Sequence, residues 1–261
     1  MHYLAECYFL GRGTQVDYPQ AIHWWTKAAQ RGVMGAQMML GKCYYGGLGV
    51  EADLAKAKQW TAKFLDQLGK KAAKSKDPRD IFQMGYALLE EGPLQNLPKA
   101  LEWLEEASKL GHTEAHYYAG YLLLQGEGGV AEDPQKAIPY LQQAADANHN
   151  LASFMLGCVY LGQAPGVAED KTKAFQYFTK AAEQGSAPAA YNLGCCYLEG
   201  AGVEKNEEEA VRWFHKAAEG GDISAQQRLA ECYEHGTGVP QDAQKAEFWT
   251  RKVAVAMANE E

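Results

Sequence analysis

The stretch SAPAAYNLGCCYLEGAGVEKNEEEAVRWFHKAAEGG, residues 186–221, contains the signals for two helices and a turn. Ala189, Leu193 and Tyr197 recur every four residues, so they lie on one face of a first helix. The glycines of the segment 200–202 follow this helix and supply the permissive backbone that a turn requires. The first half of the stretch therefore predicts a helix that ends in a tight turn.

The second half of the stretch predicts another helix. Asn206 and, three residues later, Glu209 form a capping box, in which each side chain can satisfy a backbone N–H group of the first turn. Ala210 and Trp213 begin an apolar stripe on this helix, and Gly221 has the position of a residue that ends it. Residues 186–221 therefore form one helix–turn–helix unit.

Small residues recur along the chain at the position of Gly194, at steps of 36, 44, 35, 37, 37 and 36 residues. These positions are Ala5, Gly41, Gly85, Gly120, Gly157, Gly194 and Ala230. A fixed period of this length is typical of stacked units that each contact only their neighbours. The sequence therefore predicts an all-α solenoid of about seven helix–turn–helix repeats in one domain, residues 1–261. The expected repeats are approximately 1–32, 33–75, 76–111, 112–148, 149–185, 186–221 and 222–261, with an insertion at 69–80.

Two residue types recur in every predicted second helix. A residue whose side-chain oxygen can cap the helix stands four positions before its first core alanine. These residues are Asp17, Asp53, Asn96, Asp133, Asp170, Asn206 and Asp242. An aromatic residue stands three positions after the same alanine: Trp24, Trp60, Trp103, Tyr140, Tyr177, Trp213 and Trp249. Periodic aromatic residues on an apolar helix face normally form a core, so we expect these rings to pack between helices rather than to form a ligand platform.

Three units depart from the pattern. In unit two Leu68 replaces the closing glycine, and the inserted residues that follow are rich in Lys and Arg. We expect this insertion to extend the second helix and then to form a loop, with its charges solvated rather than gathered into an anion site. Units three and five lack the Gly-x-Gly turn, at 91–93 and 162–166, which makes these segments the expected places for a bend in the superhelix.

The composition excludes several classes of protein. Hydrophobic residues make up 47% of the 261 residues and charged residues 22%, as in an ordered soluble protein. The net charge of −8, without a basic stripe, argues against a nucleic-acid partner. The longest apolar run, near 151–161, is too short to span a bilayer. No signal-peptide pattern follows Met1, so we expect a cytoplasmic location, or a periplasmic or secreted one if the chain is a fragment without its signal peptide.

The six cysteines follow the repeat. They occupy two adjacent slots of the first helices: Cys7, Cys43, Cys196 and Cys232 in one, and Cys158 and Cys195 in the other. Equivalent slots in neighbouring units are roughly 8–10 Å apart, which exceeds the roughly 4.4–6.8 Å between the Cα atoms of a disulfide. The spacing therefore predicts reduced and mostly buried thiols.

Two recurring motifs resemble a known family. They are Leu-Gly-x-Cys-Tyr followed by Gly-x-Gly-Val, as in Leu40 to Val50, and Lys-Ala-Ala-x-x-Gly, as in Lys180 to Gly185. The chain resembles the Sel-one-like repeat (SLR) family, which is related to tetratricopeptide repeats, over nearly its whole length. The resemblance implies a right-handed superhelix of helix pairs that serves as a scaffold or adaptor for proteins or peptides. Some bacterial members resemble inhibitors that neutralise a partner enzyme.

A second stripe runs along the first helices, opposite their core face, at positions −3, +1 and +4 from the small residue. By analogy with tetratricopeptide repeats this stripe faces the concave groove. Its candidate partner-binding residues are Phe82, Tyr86, Tyr117, Tyr121, Phe154 and Tyr191. A large apolar surface of this kind usually marks an interaction site. We therefore expect a peptide or a helix of a partner to lie on it, anchored by Tyr117, Tyr121 and Phe154, although packing between adjacent first helices is the alternative.

The residues with catalytic or metal-binding potential do not form a recognisable set. His112 and His116 are four residues apart and could bind a metal from one helix face. The segment is not a His-Glu-x-x-His motif, however, and no third ligand is evident nearby. The glycine-rich turns lie between two helices, whereas a dinucleotide-binding loop follows a strand. We therefore expect no catalytic residue, no metal and no cofactor.

The expected function is that of a non-catalytic interaction scaffold or adaptor that binds a peptide or protein on its concave face. Two alternatives remain: an inhibitor or immunity protein that neutralises a partner enzyme, and a hydrolase built on the helical-repeat scaffold. The expected partner is a protein or peptide, with no nucleic acid and no membrane insertion. Self-association is also open, because the incomplete first unit exposes apolar surface.

Overall fold

The computed structural model describes residues 1–258, which form 14 α-helices and one short π-turn. The first helices of the seven units are α1 (His2–Leu10), α3 (Met34–Gly46), α5 (Pro78–Leu89), α7 (Thr113–Gln125), α9 (Asn150–Cys158), α11 (Ala187–Glu199) and α13 (Ile223–His235). The second helices are α2 (Tyr18–Gln30), α4 (Leu54–Lys74), α6 (Leu97–Lys109), α8 (Pro134–Asp146), α10 (Lys171–Glu183), α12 (Glu207–Glu219) and α14 (Ala243–Ala258). The all-α class and the seven helix pairs are confirmed, and residues 1–258 contain no strand.

The chain divides into two compact units, each of which contains several helix–turn–helix repeats. The N-terminal unit comprises Met1–Tyr118 and Gly126–Ala131. The C-terminal unit comprises Ala119–Gln125 and the chain from Glu132 onward. Helix α7 contributes to both. The right-handed superhelix and the repeat limits given above stay predictions.

The loop inside each helix pair is closed by the predicted capping residue. In unit six the Oδ1 atom of Asn206 accepts a hydrogen bond from the backbone N–H of Glu209 at 3.0 Å. The backbone N–H of Asn206 in turn donates to the carbonyl of Tyr197, in the last turn of α11, at 2.8 Å. The other six capping residues, Asp17, Asp53, Asn96, Asp133, Asp170 and Asp242, make the same two kinds of bond. The cap therefore both starts the second helix and fixes its distance from the first.

In five of the seven repeats the buried core side chain of the second helix lies one residue beyond the predicted aromatic position, whereas Thr61 and Thr250 at the same position of repeats two and seven are not buried. The fully buried side chains of the second helices are at position +4 from the first alanine: Trp25, Leu104, Leu141, Phe178 and Phe214 are each 0% exposed. Each stands against the small residue of the preceding first helix. A Cβ atom at Gly194 would lie 2.6 Å from the Cε1 atom of Phe214, so only glycine fits there. This contact explains why the small residue recurs with the repeat.

The predicted packing of the aromatic row at position +3 is confirmed for Trp24 and Trp60, which pack against the core, but most of the row lies at the edge of the core rather than inside it. Trp24, Trp60, Trp103, Tyr140, Tyr177 and Trp213 are half-buried, and only Trp249 is buried. The buried positions 0, +4, +7 and +8 centre on one side of the helix, and position +3 lies roughly 85° from that centre. The rings therefore cover the edge of the core. Several carry a lysine three residues later over one face, as Lys216 does at 3.9 Å from the centroid of Trp213.

The cysteines lie in or beside this core as thiols. Cys43, Cys196 and Cys232 are buried, and Cys7, Cys158 and Cys195 are half-buried. Burial raises the pKa of Cys43 and of Cys158 to about 11. Such thiols stay protonated near neutral pH and react slowly, because the thiolate is the reactive form.

The helices show no membrane-spanning character. Within residues 1–258, no helix combines the length and the apolar composition that crossing a lipid bilayer requires.

Candidate functional site

In the N-terminal unit, the predicted stripe residues form an aromatic cluster with two residues that were not predicted. The ring of Phe82 stacks on the ring of His112, with centroids 4.4 Å apart and planes at 16°. Tyr86 meets Tyr118 edge to face at 5.5 Å, and Tyr117 lies beside Tyr118 at 5.0 Å. Tyr86 remains 37% exposed. The cluster is therefore held in place by ring contacts and still presents an aromatic edge to solvent.

In the C-terminal unit, the predicted stripe residues rest on the core. Phe154 contacts the buried ring of Phe178 at 6.0 Å, and Tyr191 contacts Phe214 at 5.9 Å. Tyr121 is the most open of the three and is 38% exposed. Burial raises the pKa of Tyr191, and the side chain of Arg228 on the next first helix partly offsets this rise. In this unit, part of the stripe thus packs on the second helix of its own repeat, and part stays open.

A pocket of about 370 Å³ lies between α3, α4 and α5 in the N-terminal unit. We call it the α3–α5 pocket; its apolar lining consists of Met34, Met38, Phe64, Leu68, Phe82 and Tyr86. Lys42 and Glu90, which also line it, form an ion pair of 3.1 Å between Nζ and Oε2. A smaller pocket of about 50 Å³ shares Met38, Lys42, Phe64, Ala87 and Glu90 with it, and continues past Glu91. Phe82 and Tyr86 were predicted as site residues, whereas Met38 and Phe64 were not.

The sequence of α4 differs from that of other second helices where it lines the pocket. In five other second helices a small alanine occupies the seventh position after the first core alanine: Ala28, Ala107, Ala144, Ala181 and Ala217. In α4 this position is Phe64, and Leu65 follows it. Phe64 therefore places a bulky ring in the lining of the pocket, at a position where these other helices have a small alanine. Helix α4 is also 21 residues long, whereas α2 and α6 on either side have 13 each.

The basic insertion after Leu68 behaves as predicted in its helical part, since α4 continues to Lys74. Three of its cations pair with carboxylates of the same region: Lys70 with Asp66 at 2.7 Å, Lys71 with Asp80 at 2.8 Å, and Arg79 with Asp77 at 2.7 Å. These exposed pairs add little stability. They do neutralise much of the local positive charge, which favours the solvated interpretation over an anion site.

The pair between Asp77 and Arg79 gives a pH-dependent prediction. Hydrogen bonds from the side chain and backbone N–H of Arg79 lower the pKa of Asp77 to about 2, below the value near 3.9 of an unfolded chain. Stability from this carboxylate is therefore complete above about pH 4 and is lost as the pH falls towards 2. We expect Asp77→Asn to lower the melting temperature slightly at pH 7 and by a smaller amount at pH 2.5, where part of the carboxylate's contribution is lost. A constant difference between the two proteins from pH 7 to 2.5 would contradict this assignment.

The two histidines considered for metal binding, His112 and His116, make hydrogen bonds in the first turn of helix α7. Nδ1 of His112 accepts a hydrogen bond from the backbone N–H of Ala115 at 3.2 Å and so caps the helix. Nδ1 of His116 lies 3.1 Å from the carbonyl of His112. His149 caps α9 through Ala152 in the same way. Within residues 1–258, no three His, Cys, Asp or Glu side chains are grouped so that they could hold a metal ion.

Unit five, one of the two expected places for a bend, contains a π-turn, Val159–Gln163, in which Gly162 has φ of 91°; the bend itself stays a prediction. A pocket of about 290 Å³ lies beside it in the C-terminal unit. Leu124, Met155 and Cys158 contribute to its lining, together with the polar side chain of Gln163. This pocket therefore lies beside two further positions of the stripe, Leu124 and Cys158.

Comparison with protein families identifies the repeat. The Sel1 repeat model matches seven segments: residues 1–33, 35–67, 79–112, 113–149, 150–186, 187–222 and 223–254. The chain belongs to the Sel1 repeat family. Residues 68–78, between the second and third repeats, contain the end of α4 and the loop that follows it. The resemblance noted from the sequence motifs is confirmed, and proteins with Sel1 repeats are generally interaction scaffolds and typically non-catalytic.

Two solved Sel1 repeat structures resemble this one over nearly its whole length. A Sel1 repeat protein from Oxalobacter formigenes is 30% identical, with a TM-score of 0.74 over 98% of this chain and 72% of that one. A protective antigen of uropathogenic Escherichia coli with an SLR fold is also 30% identical, with a TM-score of 0.64 over 97% of this chain. This chain spans 60% of the length of the E. coli protein. No curated protein sequence matches it significantly.

Proposed function

We propose that this Sel1 repeat protein is a non-catalytic scaffold or adaptor that binds a peptide or protein partner through the stripe on its first helices. The observation that carries the proposal is the exposure of Tyr86 and Tyr121, at 37% and 38%, on that stripe. Tyrosine offers a large contact area with few rotatable bonds, and it is enriched among the residues that dominate binding energy.

The packing of the stripe supports the same proposal. Phe154 and Tyr191 rest on buried rings, and Tyr86 is held by Tyr118, so these side chains are fixed before any partner arrives. Association is weakened when flexible side chains must be ordered, and a preorganised surface avoids most of that loss. The partial burial of the stripe is therefore compatible with binding.

Affinity capture with single variants tests the proposal. We expect Tyr86→Ala and Tyr121→Ala each to weaken capture of the partner about tenfold, the effect of losing about 1.4 kcal/mol of binding energy. Phe248 is 53% exposed on the second helix α14, outside the stripe, so Phe248→Ala is the matched control. Quantitative mass spectrometry of the captured proteins, with melting temperatures of all variants, provides the measurement. Full capture by both tyrosine variants would show that the stripe is not the binding surface.

A second candidate is an inhibitor that neutralises a partner enzyme. The net charge of −8 supports it, because an acidic surface attracts a basic enzyme and accelerates the encounter. An inhibition assay with the enzyme encoded beside this gene distinguishes the two candidates: an inhibitor abolishes its activity at equimolar ratio, whereas an adaptor leaves it unchanged.

The proposed compartment is the cytoplasm. Cys43, Cys196 and Cys232 are buried as thiols, and a reducing compartment keeps cysteines in this form. Self-association through α1 stays a prediction; Tyr3 on that helix is 80% exposed.

A further inference from the structure

We propose that the α3–α5 pocket receives a bulky apolar side chain of an extended partner peptide, and that a Lys or Arg beside that side chain pairs with Glu91. This inference rests on the proposed scaffold function and gives its partner a chemical character. It concerns the N-terminal unit alone.

The size and lining of the pocket favour an apolar side chain. Its volume of about 370 Å³ lies near the lower end of the range of roughly 300–1,000 Å³ that is typical of ligand sites. Met34 and Met38 form one wall, and Phe64, Phe82 and Tyr86 form the others. Methionine adapts its shape and makes favourable contacts with aromatic rings, so this lining suits Phe, Leu, Met or Trp.

The continuation of the pocket favours a peptide over a compact small molecule. The smaller pocket shares five residues with the α3–α5 pocket and extends past Glu91, Pro93 and Leu94 at the end of α5. A chain-like occupant can place one side chain in the large pocket and the next in the small one. Phe82 and Tyr86 belong both to the pocket and to the stripe, so such a peptide would lie on the proposed binding surface.

The charged residues that line the two pockets indicate which residue of the peptide stands next to its apolar side chain. We call the region around Lys42, Glu90 and Glu91 the mouth of the α3–α5 pocket. Lys42 is the one cation that lines either pocket among the described residues, and it is already paired with Glu90. Glu91 is exposed and makes no ion pair within residues 1–258. The mouth therefore carries one uncompensated negative charge, in a protein of net charge −8. A basic residue next to the apolar one is attracted to this mouth, and an acidic residue is repelled.

The test is a selection of phage-displayed random heptapeptides on the full chain, followed by fluorescence anisotropy with the synthesised peptides. We expect enrichment of sequences in which Phe, Leu, Met or Trp stands beside Lys or Arg. Ala87 lines both pockets, so Ala87→Trp fills them, and we expect it to weaken binding at least about tenfold. Ala55→Trp, on an exposed position of the same α4 region, is the control and leaves binding unchanged.

Two further variants keep the test decisive. Met38→Gln puts a polar group into the lining, and we expect it to weaken binding even if Ala87→Trp does not fold. Glu91→Lys is expected to remove the preference for a basic neighbour and to favour an acidic one. Enriched peptides without the apolar–basic pair, no enrichment at all, or full affinity in a folded Ala87→Trp or Met38→Gln variant would overturn the proposal.

A failure of the pocket proposal can be distinguished from a failure of the proposed scaffold function. If capture of the partner depends on Tyr86 or Tyr121 while the pocket variants capture it fully, the pocket proposal fails and the scaffold function stands. If the tyrosine variants and the pocket variants all capture the partner fully, both the pocket proposal and the scaffold function fail.

Discussion

Phe214→Ala is expected to lower the free energy of unfolding by about 3–5 kcal/mol, the usual loss for a fully buried aromatic ring. Phe214 is 0% exposed and stands against the glycine of α11. Trp213→Ala, one residue earlier, is expected to lower it by no more than about 1–2 kcal/mol, because that ring is half-buried and already meets water in the folded protein. Urea unfolding of both variants, followed by circular dichroism, compares the losses at adjacent positions.

The pair of variants decides which residue of the second helix forms the core. Lysine 216 lies over the ring of Trp213, and this contact contributes roughly 0.5–1 kcal/mol at an exposed site. Equal losses for the two variants, or a larger loss for Trp213→Ala, would mean that the aromatic row and not position +4 holds the repeat together. Since a repeat protein can unfold in stages, the comparison uses the transition midpoints as well as the fitted energies.

Gly194→Ala is expected to destabilise the protein by about 1–3 kcal/mol, although alanine is ordinarily the better helix former. The added Cβ atom would lie 2.6 Å from the ring of Phe214, so one of the two helices has to shift. Gly69→Ala is the matched control, because Gly69 is also within a helix and its Cβ atom would lie 3.7 Å from Met84, an ordinary contact. We expect Gly69→Ala to stabilise by about 0.5–1 kcal/mol.

The prediction is that Gly194→Ala and Gly69→Ala change the stability of the protein in opposite directions. Thermal unfolding of both variants measures them, and the double variant with Phe214→Ala adds a direct check. Removing the ring removes the overlap, so Gly194→Ala in that background should no longer destabilise. If Gly194→Ala alone raises the melting temperature as Gly69→Ala does, the close contact is absent in solution.

The parts of the fold that depend on local signals could be predicted from the sequence. The capping residues were predicted from their position alone, because a cap acts on backbone groups within its own first turn. The small residue of the first helix was recognised as periodic, but its reason, the side chain at position +4 of the next helix, was not. The size and regularity of the aromatic residue at position +3 favour a place in the core, whereas the helix geometry puts it at the edge.

The candidate site was predicted only in part. Phe82 and Tyr86 follow from the spacing on α5, but the pocket beside them depends on how three helices pack, which no local pattern specifies. One signal was present in the sequence: Phe64 and Leu65 interrupt the Ala-Ala pattern of the other second helices. The role of His112 was missed for another reason, since histidine is not among the residues that usually cap helices.

Site-specific photo-crosslinking tests the central claim, that the stripe on the first helices binds the partner. Benzoylphenylalanine is introduced at Tyr86 or Tyr121 on the stripe, and at Gln59 or Glu102, which are exposed on the second helices α4 and α6. Our account predicts covalent adducts with the partner from both stripe positions and none from Gln59 or Glu102. Adducts from Gln59 and Glu102, with none from Tyr86 and Tyr121, would contradict it.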